Sequence, residues 1–481
     1  MNARDRDAGA PRRVLVFLVL VAALAAGLAA DRLPRPRVVR AEGVERAPVM
    51  PVAGPPRSLS SSWFCAGATA MPDGAADGVV IVANAGRNPL TGTFTVVPLE
   101  GDPRALPIVV EPLSRLILRQ RDIVNSPYAA ALVELDGGDA VVEHEVSGPL
   151  GASTAPCASF ASDRWYVAAG STAREDTMLL ALFNPFPEDA IVDLAFSTDQ
   201  GRAVPSAFTG IVVRGGRLGV VNVGDHVRRR TAVAVTATAR TGRIVMDRIQ
   251  LRGSAPTGVS LALAAPSPGR LWYFAEGLVS DGITERFHVY NPTDTEAEVS
   301  IELTLEEGAA EPFDLTIPPR DRVTVAADQE ERVPRDVGHY AVVRSRNGVP
   351  VVAERSVTAA PPAPRAGTSD SLGARRTATT WVLASGSASE AVDEWVTVLN
   401  PGQAAATVSL HVLASGQLLP VEGLQGLSLE PGRRRAIRLT DHIRRQDLAL
   451  RVTASEPVVV ERGLYGVNAA TLALSPGVPL R

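Results

Sequence analysis

The sequence predicts an all-β protein: four tandem Ig-like antiparallel β-sandwich modules after one N-terminal transmembrane helix. Three observations carry this. A phrase led by tryptophan recurs at intervals of 102, 107 and 109 residues. Each recurrence is followed by short apolar runs of period two, separated by turn residues, as strands of a half-buried sheet require. One segment near the N-terminus, residues 14–30, is apolar without charge or proline. Composition agrees. Of 481 residues, 46% are hydrophobic and only 5% aromatic, while Gly (41) and Pro (37) are plentiful. That balance suits many short strands and turns better than long helices.

In chain order, residues 1–13 form a short cytoplasmic N-terminus carrying Arg4, Arg6, Arg12 and Arg13. Residues 14–30, VLVFLVLVAALAAGLAA, are a transmembrane anchor or signal peptide. Seventeen residues is the short limit for a spanning helix, and Leu28-Ala29-Ala30 is a poor cleavage site, so the uncleaved anchor is the favoured reading. Residues 31–60 carry prolines at 34, 36, 48, 51, 55 and 56 and read as a Pro/Arg-rich stalk. The modules then occupy 61–162, 163–269, 270–379 and 380–481.

Four tryptophans open the modules: Trp63 (WFCAG), Trp165 (WYVAAG), Trp272 (WYFAEG) and Trp381 (WVLASG). Downstream of each, an apolar run ends in an asparagine turn at Asn84, Asn184, Asn291 and Asn400. An alternating strand follows, such as AEVSIELTLEEG in the third copy, and then a turn with arginine before another strand. A further apolar strand ends in an acid–base pair: Glu143-His144, Asp247-Arg248, Glu354-Arg355 and Glu461-Arg462. The spacing from Trp to acid is 80, 82, 82 and 80 residues. Six or seven short strands in about 100 residues is the β-sandwich pattern; a propeller with half a module per blade is the weaker alternative.

The Trp-aromatic-x-Ala-Glu-Gly phrase, the Asn-Pro turn and PVVAER together resemble tandem repeats of exported bacterial proteins, many of them actinobacterial. The whole arrangement, with its apolar leader and Trp-Phe-Cys-Ala-Gly start, resembles the uncharacterised DUF5719 family over residues 60–481. The third copy fits best, with WYFAEG, YNPTDTEAEV and PVVAERSV. The first departs most: its Asn88-Pro89 comes late and His144 stands where the others have Arg. The resemblance implies an envelope location and brings no catalytic residues.

Two cysteines are present, Cys65 beside the first Trp and Cys157 at the end of the first module. In an exported chain they are expected to pair, clamping the first and last strands of that module. The acid–base pairs read as structural ion pairs. Adjacent strand residues face opposite ways, so one member of each pair points into the protein and needs a partner, from a preceding turn or a neighbouring module. The leading tryptophans are expected to pack between sheets or at module junctions. The competing reading is an exposed platform for a sugar ring.

Chemistry is scarce. The chain has no lysine, which excludes P-loop phosphate binding, Schiff-base catalysis and Ser–Lys hydrolysis. Net charge is −4, from 48 basic and 52 acidic residues, so no nucleic-acid footprint is present. The six histidines, at 144, 226, 288, 339, 411 and 442, show no metal-ligand spacing. His226 and His442 each follow an Asp in a turn that reads as architectural. The acidic loops 73–78 and 135–140 read as hairpin turns and not as calcium sites. No catalytic, cofactor or metal residues are assigned, and no cofactor is expected. The expectation is a non-enzymatic, single-pass protein of the cell membrane, its bulk outside, acting as structural, scaffold or adhesion module. Its partners would be the membrane and, in the alternative reading, a cell-wall glycan or another envelope protein. An envelope enzyme with a site between modules is the remote alternative. Short linkers at 158–164 and 264–271 allow a rod or a closed cluster, and the longer one at 357–380 is long enough to allow a hinge.

Overall fold

The computed structural model describes residues 49–467 and 469–481. The transmembrane helix expected at 14–30 and most of the stalk lie outside the described residues. Within them the regular structure is all β, with five single-turn 3-10 helices and no α-helix. No helix among them is long and apolar enough to cross a membrane.

Each module is built from two small, mainly antiparallel sheets. In the third module one sheet runs Leu271–Phe274, His339–Ser345, Ala297–Leu305, Phe313–Ile317. The other runs Arg322–Ala326, Ile283–Tyr290, Val352–Ala359, Gly367–Leu372. The period of two decides what is buried. In Ala297–Leu305 the residues Val299, Ile301 and Leu303 point inward at no more than 1% exposure, and they meet Trp272, Phe274 and Phe287 from both sheets in one core. The second module repeats this order of strands. In the first, the two sheets touch through a parallel contact of Thr69 with Asp77. In the fourth, a single long strand, Leu450–Gly466, belongs to both sheets.

The asparagine turns are locked alike in all four modules. Each Asn is buried. Its Nδ2 donates to a carbonyl four residues on and to another in the facing sheet, and its Oδ1 accepts the N–H two residues on. Asn291 does this with Thr295, Ile317 and Thr293; Asn84, Asn184 and Asn400 do the same. A side chain that satisfies backbone groups at a turn fixes the strand exit.

The modules close into a ring of four. In each, the strand that pairs with the acid-bearing strand on its C-terminal side lies at the centre: Gly151–Pro156, Gly258–Leu263, Gly367–Leu372 and Leu472–Pro476. Each packs on the next, and the fourth packs back on the first. Serine hydroxyls stitch three of these contacts. Ser153 accepts from the Leu261 N–H, Ser260 from Asp370 and Ser369 from Leu474. At the fourth contact the corresponding residue is Ala473.

Two expectations are corrected. The stretch 357–380 is no hinge, because it contains the central strand Gly367–Leu372 and the start of Ala378–Leu383. The stalk does not run free to residue 60 either. Met50, Val52 and Ala53 are buried, and Ala53 bridges Leu480 in parallel. Val49, Met50 and Pro51 line one side of an axial cavity of about 40 Å³ whose other walls are the four central strands.

Candidate functional site

The buried charges converge on the four junctions. Val352–Ala359 places Glu354 and Arg355 side by side, and the strand sends them to different neighbours. Glu354, 1% exposed, reaches back to the second module. Its Oε1 accepts the Ala168 N–H at 2.7 Å, and its Oε2 accepts from Arg248. Arg355, fully buried, donates to its own Glu276 carbonyl and to Glu461 of the fourth module. The arrangement recurs one module on: Glu461 accepts the Glu276 N–H at 3.0 Å and pairs with Arg355. It recurs at ring closure, where Glu143 of the first module accepts the Ser385 N–H at 2.7 Å and Arg462 of the fourth at 2.9 Å. Arg462 also donates to the Ser385 carbonyl. Each acid thus caps the backbone just past the tryptophan of the previous module, and each Arg holds the carbonyl of its own.

Burial pushes the Glu354 and Glu461 carboxyls up, while the facing Arg248 and Arg355 pull them down. Burial likewise disfavours the charged guanidinium groups of Arg248, Arg355 and Arg462, but the carboxylates beside them prevail and hold them protonated.

The junction of the first and second modules differs. Asp247 accepts the Ala66 and Gly67 N–H groups at 2.6 and 2.9 Å, but its cationic partner is replaced by His144, whose Nε2 lies 3.7 Å away. With no arginine to offset burial, the Asp247 carboxyl is pushed up to about 7. Burial holds the His144 imidazole down to about 3. Between about pH 3 and 7 the pair is therefore a neutral acid beside a neutral imidazole.

The four tryptophans are all buried, at 0–1% exposure. Trp165, Trp272 and Trp381 donate Nε1–H to the carbonyls of Ile244, Val351 and Val458. Trp63 Nε1 has no partner. Being buried, they offer no platform for a sugar ring. Cys65 and Cys157 form a disulfide. Cys65 occupies the place of Val167, Phe274 and Leu383, two residues past the Trp. Cys157 occupies the place of Ala264, Gly373 and Gly477, each donating its N–H to the residue before the acid. At Gly373 an added Cβ would lie 2.9 Å from the Phe274 ring; in the first module the disulfide fills that space.

His226 and His442 follow 3-10 turns. His226 packs edge-on against Phe208, and His442 Nδ1 lies 3.2 Å from the Glu422 carbonyl oxygen. Among the described residues one group of side chains lies close enough to share a metal ion, Cys65, His144 and Cys157, and its sulfurs are bonded to each other.

Three acids buried at no more than 1% exposure escaped the sequence reading. Glu285 bonds His339 Nε2 at 2.6 Å and lies 3.5 Å from Arg355. Glu394 accepts the Ser387 N–H at 2.7 Å, and burial pushes its carboxyl up to about 8. The signal was present: Glu285 shares a strand face with Ile283, Phe287 and Val289, all buried, where a lone carboxylate must have a partner. The third is Asp370, against Arg252, Arg248 and Ser356. Burial opposes its ionisation, but the two arginines and the Ser356 hydroxyl overcome that and hold it at about 2.

Residues 139–365 match DUF5719. The model is described as a family of unknown function, so the chain resembles that family there. The DUF5719 stretch holds Glu143, Asp247 and Glu354 and ends before Glu461-Arg462. No curated protein matches the chain. A Thermotoga maritima protein of known structure is 19% identical, covering 22% of this chain and 95% of its own, with a TM-score of 0.21. A sensory rhodopsin transducer from Anabaena is 25% identical, covering 18% and 94%, with a TM-score of 0.17. A tetra-tandem repeat from the extending region of a large adhesion protein is 11% identical, covering 85% and 94%, at 0.11. Scores this low carry neither architecture nor role across.

Proposed function

We propose that the protein is a non-enzymatic scaffold of the cell envelope. It is anchored by an uncleaved helix at residues 14–30, with the four-module ring outside the membrane. One observation supports this above others: the buried acids and bases are used at the junctions. Glu354 and Glu461 spend both carboxylate oxygens on a neighbour's arginine and a backbone N–H, and Glu143 takes both such contacts on Oε2; all three are buried out of reach of a substrate. The disulfide suits an oxidising compartment. The paired antiparallel sheets of each module support an Ig-like reading at the level of the single module.

The location is tested with a cysteine introduced at exposed Leu59 and a membrane-impermeant thiol reagent applied to intact cells. The reading expects labelling, with the protein in the membrane fraction; a protein shielded until lysis contradicts it. The glycan-binding alternative is tested by pull-down on purified wall polysaccharide. Retention of the folded ring there would replace the scaffold reading.

A further inference from the structure

The four junctions share one architecture but differ in what fills them. The positions to compare are cross-strand partners four residues past each acid, where the last two strands pair. They are Leu251 with Val259, Thr358 with Thr368, Tyr465 with Leu472, and Ser147 with Ala152. Between the first and second modules, Val259 and Leu261 are buried with Ile249 against Val146. Between the second and third, an ionic network occupies the space, with Asp370 between Arg248 and Arg252. Between the third and fourth, Tyr465 and Leu472 pack on Ile283 and Val357. At the last junction Ser147 and Ala152 are too small to reach across, and Ser147 is exposed. A cleft of about 280 Å³ remains between the fourth and first modules.

Its floor is aliphatic, with Val79 and Ile117 from the first module and Val392 from the fourth. Its charges are ordered. Arg119, Val79 and Glu145 lie in one row across three adjacent strands, in direct register. A cation and a carboxylate therefore flank an apolar residue, about two strand spacings apart, or roughly 10 Å between backbones. Arg115, four residues before Arg119 on the same face, is 10% exposed and anchored to Asp447 and to the Leu448 carbonyl. It lines the cleft, and its Nε–H is buried without an acceptor.

We propose that the cleft between the fourth and first modules binds a small zwitterion with an aliphatic side chain, of the size of a free amino acid. Its carboxylate lies toward Arg119 and Arg115, its ammonium toward Glu145, and its side chain on Val79, Ile117 and Val392. A cleft just below the usual range of ligand pockets, about 300–1,000 Å³, suits a ligand this small. The site goes beyond the scaffold reading, which stands without it.

Calorimetry on the full-length chain in a mild detergent tests this with three probes: leucine, 4-methylpentanoate, which lacks the ammonium, and 3-methylbutylamine, which lacks the carboxylate. The expected result is one leucine site per chain, with each singly charged probe weaker by about tenfold or more. Ser147→Tyr should fill the cleft as Tyr465 fills its neighbour, abolishing leucine binding without lowering the melting temperature. Arg119→Ala, an exposed change that keeps the fold, should weaken leucine by about tenfold or more. The proposal is overturned if leucine shows no saturable binding, if either singly charged probe matches it, or if folded Ser147→Tyr still binds. Should Ser147→Tyr not fold, unchanged leucine affinity in Arg119→Ala overturns it alone.

Discussion

A fully buried carboxylate is tolerated only with partners, and Glu354 shows how many it needs: a guanidinium and a backbone N–H, both from the preceding module. Removing one side takes away the closest carboxylate of buried Arg248 and leaves it two carbonyls, of Ala169 and Asp370, and the more distant Asp370 carboxylate at 4.0 Å. Glu354→Ala should therefore cost about 3–5 kcal/mol in urea unfolding. Arg248→Met with Glu354→Leu should recover most of that, because a well-packed apolar pair replaces a buried ion pair at little cost. A loss below about 1 kcal/mol in the single variant would contradict the role assigned to the junction. Asp247 and His144 make a different prediction. The folded Asp247 titrates near 7, above its ordinary 3.8, so its contribution is present below about pH 4 and lost as pH rises to 7. The folded His144 titrates near 3, below its ordinary 6.5, so its contribution is present above 6.5 and lost as pH falls to 3. Between pH 4 and 6.5 the two slopes oppose each other. Stability from this site should be nearly flat there in the natural chain. It should fall with rising pH in His144→Gln and rise with pH in Asp247→Asn, read as urea midpoints at pH 4 and 6.5. Equal slopes in the two variants would sink this account of the pair.

At the level of strands, the central four carry the closure. Ser153, Ser260 and Ser369 each satisfy an N–H of the next module, and Ala473 does not. Ala473→Ser should supply the missing acceptor for the Thr154 N–H and raise stability by about 0.5–1.5 kcal/mol. A neutral or destabilising result would show that the fourth contact is not equivalent to the other three. The strands themselves were readable. Val299, Ile301 and Leu303 alternate with polar residues, and alternation fixes the buried face whatever lies beyond it. The Trp and Asn positions were readable for the same reason, since each makes local bonds that every copy repeats. The junction partners were harder. Arg248 and Glu354 are 106 residues apart, as are Arg355 and Glu461, while Arg462 and Glu143 are 319 apart. Nothing local in a strand says which module its charge will meet. The cleft was harder still, because it depends on Ser147 and Ala152 being small in a register set by pairing.

On the scale of the whole molecule, the ring follows from two adjacent residues facing opposite ways. Glu354 points to one neighbour and Arg355 to the other, so identical units added in sequence hand charge from module to module. Closure requires only that the last arginine, Arg462, meet the first acid, Glu143, which it does at 2.9 Å. A rod would leave Arg462 and Glu143 unpaired at opposite ends, two exposed termini of an otherwise satisfied chain of contacts. The disulfide reinforces the first module, where His144 stands in place of the arginine. Its 92-residue separation limits the unfolded chain by about 4–5 kcal/mol in the loop-entropy view. The two ends of the described chain meet at Ala53 and Leu480, beside the axial cavity. Small-angle scattering from residues 49–481 tests closure most directly. The ring predicts a compact particle with a radius of gyration of about 22 Å. Four modules strung as a rod would give about 40 Å and an elongated distance distribution, and that result would contradict the account.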